Sequence, residues 1–185
     1  MSENILSAQE EKIARVVFSQ IFHDDVNFDA CFEMAKAISA GKTFGQGLGL
    51  KEADLEVILG LAASRYLAAR FEDAARLYSF AALLDHFDTR AMRGAGMALQ
   101  KLGSHEAAAQ CFASVLLQEP ENMEVTTLMA ESLAMSGSKK EALGLLRQIV
   151  ELEKNDEQSQ RGNSYSDRAG ALISLITKDL ASEHN

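Results

Sequence analysis

The stretch that decides the reading runs from Thr89 to Asn122: TRAMRGAGMALQKLGSHEAAAQCFASVLLQEPEN. Counting Thr89 as position one, Gly96 falls at eight, Leu99 at eleven and Gly103 at fifteen. Ala108 falls at twenty, Phe112 at twenty-four and Pro120 at thirty-two. A step of 34 residues backward turns Gly96 into Ala62, Ala108 into Ala74, Phe112 into Tyr78 and Val115 into Ala81. The same step forward gives Gly137 for Gly103, Ala142 for Ala108, Leu146 for Phe112 and Ile149 for Val115. Local phrases align as well: Phe71-Glu72-Asp73-Ala74, His105-Glu106-Ala107-Ala108 and Lys139-Lys140-Glu141-Ala142. No gap is needed, so three segments, 55–88, 89–122 and 123–156, hold one register.

A 34-residue period with alanine at twenty, an aromatic at twenty-four and proline near the end is the pattern of the tetratricopeptide repeat. Each repeat is two antiparallel helices, A and B, joined by a tight turn. Small residues at eight and twenty let the two backbones approach, and a large one at twenty-four fills the space behind. Glycine at fifteen suits a helix end, where left-handed φ is common. The middle segment matches best. The first has Ala69 in place of that glycine and Arg65 where an aromatic would sit. The third has Thr126 at the tryptophan position and Lys154 at the proline position. The fold class is therefore all-α, a three-repeat solenoid.

Composition agrees. Only 12 glycines and one proline occur in 185 residues, tryptophan is absent and aromatics are 6%. That mix excludes collagen, proline-rich linkers and most loop-rich all-β folds. The net charge is −9, which leaves no broad phosphate-neutralising surface for nucleic acid and no polybasic face for a membrane. No apolar run approaches the ~18 residues of a membrane-spanning helix. Residues 1–11 are polar with three glutamates and do not read as a signal peptide. Cys31 and Cys111 stand far apart, with neither disulfide nor metal spacing. They are expected to be buried free thiols of a reducing, cytoplasmic compartment.

Outside the repeats helices continue. Ile5 to Phe22 and Asn27 to Ala40 carry apolar residues at helical spacing, with His23-Asp24-Asp25 as punctuation. Residues 1–54 form an N-terminal helical extension, and the four glycines within 41–50 mark a loop or broken turn. The polar stretch Asn155–Ser166 reads as a linker, and Ala169, Leu172, Ile173, Leu175 and Ile176 as a final helix capping the solenoid within 157–185.

Several fragments invite chemistry and do not support it. Gly41-Lys42-Thr43 lacks the glycine five residues earlier that a phosphate loop needs, since Lys36 stands there inside a helix. His23-Asp24-Asp25 has no second ligand cluster at metal spacing. His23, His86, His105 and His184 are scattered, none beside a nucleophile and a third group. No enzyme, metal or cofactor is expected. The A helices carry more weight, because repeat grooves are binding faces. Positions two, five, nine and twelve are Glu56, Leu59, Ala63 and Tyr66 in the first repeat, and Arg90, Arg93, Met97 and Gln100 in the second. In the third they are Glu124, Thr127, Glu131 and Ala134. Leu59, Tyr66 and Met97 are expected to expose apolar area in a peptide groove completed by Ala63, Arg93 and Gln100.

The chain resembles the class II type III secretion chaperones, the tetratricopeptide chaperones of bacterial translocator proteins. Three repeats follow a helical extension, and Gly41–Leu50 leads directly into the first A helix. Tyr66-Leu67-Ala68-Ala69-Arg70-Phe71-Glu72-Asp73-Ala74 is similar to the family's first inter-helix turn, and Leu84-Asp85-His86-Phe87-Asp88 to its first inter-repeat turn. The similarity covers roughly residues 40–155. It implies an ATP-independent chaperone that keeps one or two hydrophobic translocators soluble in the bacterial cytoplasm, holding a short extended segment in the concave groove. Such proteins often line the groove with aromatics. Here Tyr66 matches, while Leu59 and Ala63 depart. The resemblance also implies a homodimer formed through the N-terminal helices, where Ile13, Val16, Val17 and Phe18 form an apolar stripe. The alternative is a general tetratricopeptide adaptor. Its carboxylate-clamp subtype needs lysine and asparagine where Leu59 and Ala63 stand.

Overall fold

The computed structural model describes residues 28–155 and 165–182. The helix expected over 5–22, the His23-Asp24-Asp25 turn and the stripe of Ile13, Val16, Val17 and Phe18 lie outside the described residues. Among the described residues every regular element is a helix: α1 Phe28–Ser39, α2 Phe44–Gly47, α3 Glu52–Leu67, α4 Phe71–Leu84, α5 Thr89–Lys101, α6 His105–Leu116, α7 Met123–Met135, α8 Lys139–Asn155 and α9 Tyr165–Ser182. The described residues divide into two compact units: 28–56 with 83–87, and 57–82 with 88–155 and 165–182.

In the first unit the glycine-rich stretch is a turn followed by a single helical turn, the broken turn among the two readings. The Gln46 N–H donates to Thr43 Oγ1 at 3.3 Å, and the Thr43 N–H donates to Gln46 Oε1 at 3.1 Å. This reciprocal capping satisfies two orphan donors of α2. Thr43 is buried in the process. The hydroxyl that a phosphate loop would turn toward a metal is committed to the backbone.

The second unit holds the three inter-helix turns of the repeat frame. At the turns joining α3 to α4, α5 to α6 and α7 to α8, residues Ala69, Gly103 and Gly137 have φ of 57°, 75° and 95°. Each turn closes with the same pair of backbone hydrogen bonds. Arg70 N–H donates to Arg65 O at 2.9 Å, Ser104 N–H to Leu99 O at 3.0 Å and Ser138 N–H to Leu133 O at 2.8 Å. The residue before each donates to the carbonyl three back. This is the Schellman closure, in which one left-handed residue lets the chain turn back while orphan carbonyls keep partners. At the opposite end of each unit of period, Asp88 and Asn122 cap α5 and α7 with their side chains.

Packing follows the frame. Ala74, Ala108 and Ala142 are all fully buried, as are Ala62 and Ala130. Phe112 and Leu146 are sealed, with Val115 and Ile149 one turn on. Gly96 is required by close approach: a Cβ there would lie 2.6 Å from the Phe112 ring. The last helix, α9, packs on α8 and α7 and adds Ala169 and Ile176 to their core. It starts at Tyr165, two residues inside the stretch read as linker, because a turn of helix ahead of Ala169 seats that residue in the core. Cys111 is a free thiol, half-buried rather than buried, and burial pushes its pKa up.

Candidate binding groove

Positions two, five, nine and twelve of an A helix are three or four residues apart, so they share one face. The structure places the six expected groove residues in the second unit, on α3 and α5, with unequal access. Tyr66, Ala63, Met97, Arg93 and Gln100 are half-buried. Leu59 departs from expectation: only 7% of it is exposed. It lies one turn before the fully buried Ala62, on the stripe that packs inward. Leu59 therefore offers the groove almost no surface.

The Tyr66 ring meets Phe71 edge-on at a centroid distance of 5.4 Å, across the α3–α4 turn. Both Tyr66 and Tyr78 pack against a core of Ala74, Ala75 and Ala98. Tyr78 was not among the expected groove residues, since its frame position is that of the sealed Phe112. It is instead half-buried, and its ring lies against Gly94, where a Cβ would sit 2.5 Å from Cε1. Burial raises the Tyr78 pKa, the neighbouring Tyr66 adds to the rise, and the Arg93 guanidinium opposes it. Tyr78 thus lies within electrostatic reach of both the Tyr66 phenol and the Arg93 guanidinium. The signal was present in the sequence: a tyrosine at position twenty-four carries a hydroxyl that seeks a polar edge, which Phe112 and Leu146 do not.

Further along, polar side chains tie neighbouring A helices together. Arg93 on α5 reaches Glu124 on α7 at 3.5 Å. Gln100 Nε2 donates to Leu128 O at 3.0 Å and to Ser132 Oγ at 2.8 Å, both on α7. Ser132 is fully buried, so the amide satisfies a group that water does not reach. Gln100 therefore acts as a strut between helices as much as a groove residue. Arg168 on α9 donates to Glu131 on α7 through Nε at 2.9 Å and Nη2 at 2.5 Å. Glu131 is an A-face position, so α9 stands beside α7 as α7 stands beside α5. The final helix occupies the place of a fourth A helix. Sequence inspection missed this pairing because Arg168 lies outside the 34-residue frame.

The arrangement suits an extended apolar ligand. Among the described residues no group of three or more His, Cys, Asp or Glu side chains could hold a metal ion. His105 sits in the first turn of α6 with Nδ1 buried and without a hydrogen-bond partner.

The tetratricopeptide repeat family model matches residues 99–161. Low calcium response locus protein H of Yersinia pestis is 25% identical over 151 residues, covering 82% of this chain and 88% of that protein. PcrH from Pseudomonas aeruginosa superposes with a TM-score of 0.60 at 26% identity, covering 69% of this chain and 95% of PcrH. PcrH in complex with the chaperone binding region of PopD gives 0.62 at 26% identity, over 71% and 96%. The type III secretion translocator chaperone SycD of Yersinia enterocolitica shares the fold, with a TM-score of 0.61 at 24% identity, over 72% and 91%.

Proposed function

We propose that this chain, which resembles the class II translocator chaperones of type III secretion in sequence and in tetratricopeptide fold, is itself a holding chaperone for hydrophobic translocator subunits. It binds a short extended segment of its client along the A-helix face and keeps the rest from aggregating before export. The observation that carries the reading is the half-buried apolar surface of Tyr66 and Met97 on the A-helix face of a scaffold similar to PcrH, a protein seen with the chaperone binding region of PopD.

The energetics are sufficient. Each apolar side chain that becomes fully buried contributes about 1.5–3 kcal/mol before ordering costs. A micromolar complex needs about 8 kcal/mol, so a few anchors on a preformed face suffice and no ATP is required. The role is binding rather than turnover. Among the described residues no helix is long and apolar enough to cross a membrane, and the proposed place of action is the bacterial cytoplasm. Self-association through Ile13, Val16, Val17 and Phe18 belongs to the same proposal.

The test is affinity for a co-purified client, measured with full-length chain. Tyr66→Ala and Met97→Asp are each expected to weaken binding about tenfold or more while helicity and melting temperature hold. Leu59→Asp is unsuited to this purpose because it would place a charge in the core. Unchanged affinity in both groove variants would overturn the reading.

A further inference from the structure

At the far end of the A-helix face lies a cleft of about 500 Å³ between α7 and α9, with Lys139 of α8 on its edge. Its apolar walls are Ala134 and Met135 on α7 and Leu175 and Ile176 on α9. Met135 is 69% exposed and Leu175 is 65% exposed, a large apolar surface for two facing side chains. The cause lies in the repeat frame. Ala134 holds the position that Gln100 holds one repeat earlier and Tyr66 two repeats earlier. Between α5 and α7 the Gln100 side chain spans the gap and bonds to Leu128 O and Ser132 Oγ. Between α7 and α9 the alanine is too short to do so, and the gap stays open. The Arg168–Glu131 pair meanwhile holds α9 alongside α7.

We infer that this cleft is a second seat for the segment bound in the groove, taking an apolar side chain flanked by a carboxylate. The inference rests on the groove reading of the preceding subsection. Continuity argues for the same occupant: Tyr66, Gln100 and Ala134 form one row along adjacent A-type helices. Charge argues for the flanking carboxylate. Lys139 and Lys178 line the cleft against a single Asp179, and Asp179 is engaged by Lys139 at 2.7 Å. Lys178 is left facing the opening of a chain whose net charge is −9. Spacing fixes the register. Neighbouring helices pack about 8–10 Å apart, so three steps from α3 to α9 span about 25–30 Å. An extended chain rises about 3.3 Å per residue, so the side chain in the cleft lies about eight to nine residues from the one beside Tyr66.

The experiment is photo-crosslinking of the full chain in cells that make its client, with benzoylphenylalanine in place of Tyr66 or, separately, of Leu175. The expected result is one and the same polypeptide captured at both positions, at points about eight to nine residues apart. A synthetic peptide spanning the segment mapped from position 66, extended ten residues each way, then serves as the probe in titrations. Leu175→Asp and Lys178→Glu are each expected to lower its affinity about fivefold or more. Lys178 is exposed, so its variant keeps the test valid if Leu175→Asp fails to fold. Capture at position 66 without capture at position 175, with titrations unchanged, would overturn the inference and leave the groove reading intact. Capture of a second copy of this chain at position 175 would also overturn it, making the cleft a self-association face. Capture at neither position would remove the groove reading and the inference with it.

Discussion

The first and middle helix pairs share a backbone plan and differ in what fills it. In the middle pair Phe112 is fully buried over Gly96, and Gly103 turns the chain with φ of 75°. In the first pair the corresponding residues are Tyr78, half-buried, Ala62, and Ala69, which adopts φ of 57° without being glycine. The middle pair is built for density and its turn for low strain. The first pair gives up some of both, and its two phenols come within electrostatic reach of the Arg93 guanidinium on the middle pair's A helix. Departure from the repeat pattern marks where binding is proposed, and adherence to it marks the part that holds the shape.

If that contrast is right, truncating the two rings should have unequal effects. Phe112→Ala leaves a sealed cavity facing Gly96 and is expected to cost about 3–5 kcal/mol in urea unfolding. Tyr78→Ala removes a ring that already meets water on one side and is expected to cost about 1–2 kcal/mol. It should weaken client binding as well, which Phe112→Ala at a temperature where it remains folded should not. Equal stability losses would break the comparison.

The turns give a second, smaller test of opposite sign. A left-handed conformation costs a residue with a Cβ about 1–2 kcal/mol. Ala69→Gly removes that strain but loosens the unfolded chain by about 0.4–1 kcal/mol, so a net gain of about 0.5–1 kcal/mol is expected. Gly103→Ala has open space around its missing Cβ, so only the backbone objects. It is expected to lose about 1 kcal/mol. Melting temperatures moving in opposite directions would place the strain in the first turn. A loss from both variants would mean that Ala69 makes a contact worth more than its strain.

The repeat frame was legible because it rests on volume. Alanines 74, 108 and 142 and the residues around them answer to close packing of two helices, and packing leaves the same trace every 34 residues. The groove was legible only in part. Periodicity says which face a residue shares and cannot say how deeply it sits, so Leu59 was expected in the groove although it packs beside Ala62. Tyr78 was hidden because the frame assigns its position to the core. The Arg168–Glu131 pair and the cleft beside Ala134 lay beyond reach for another reason. They depend on where α9 comes to rest after residues outside the 34-residue period, and nothing local in Tyr165–Ser182 specifies its neighbour.

The smallest expected effect concerns how the repeats are stitched. In the middle repeat Glu119 accepts from the Thr89 hydroxyl, thirty residues away, and from Asn122 Nδ2 at 2.7 Å. Its frame equivalent, Asp85, accepts from the Phe87 N–H two residues on, at 2.9 Å. The Thr89 hydrogen bond, followed by that of Asn122, holds the Glu119 carboxyl below its ordinary range. A carboxylate whose folded pKa is depressed stabilises the fold above its unfolded pKa. That contribution is lost as pH falls through the folded value. Thr89→Val removes the largest cause and should bring the Glu119 pKa back toward ordinary. At neutral pH the variant is expected to lose less than about 0.5 kcal/mol, because the half-buried carboxylate still meets solvent and salt. The difference from the parent chain should shrink as pH falls from about 5 toward about 3, where both forms bind the proton. A Thr89→Val deficit that instead persists unchanged in acid would assign the bond's value to helix packing at α5 rather than to the charge on Glu119.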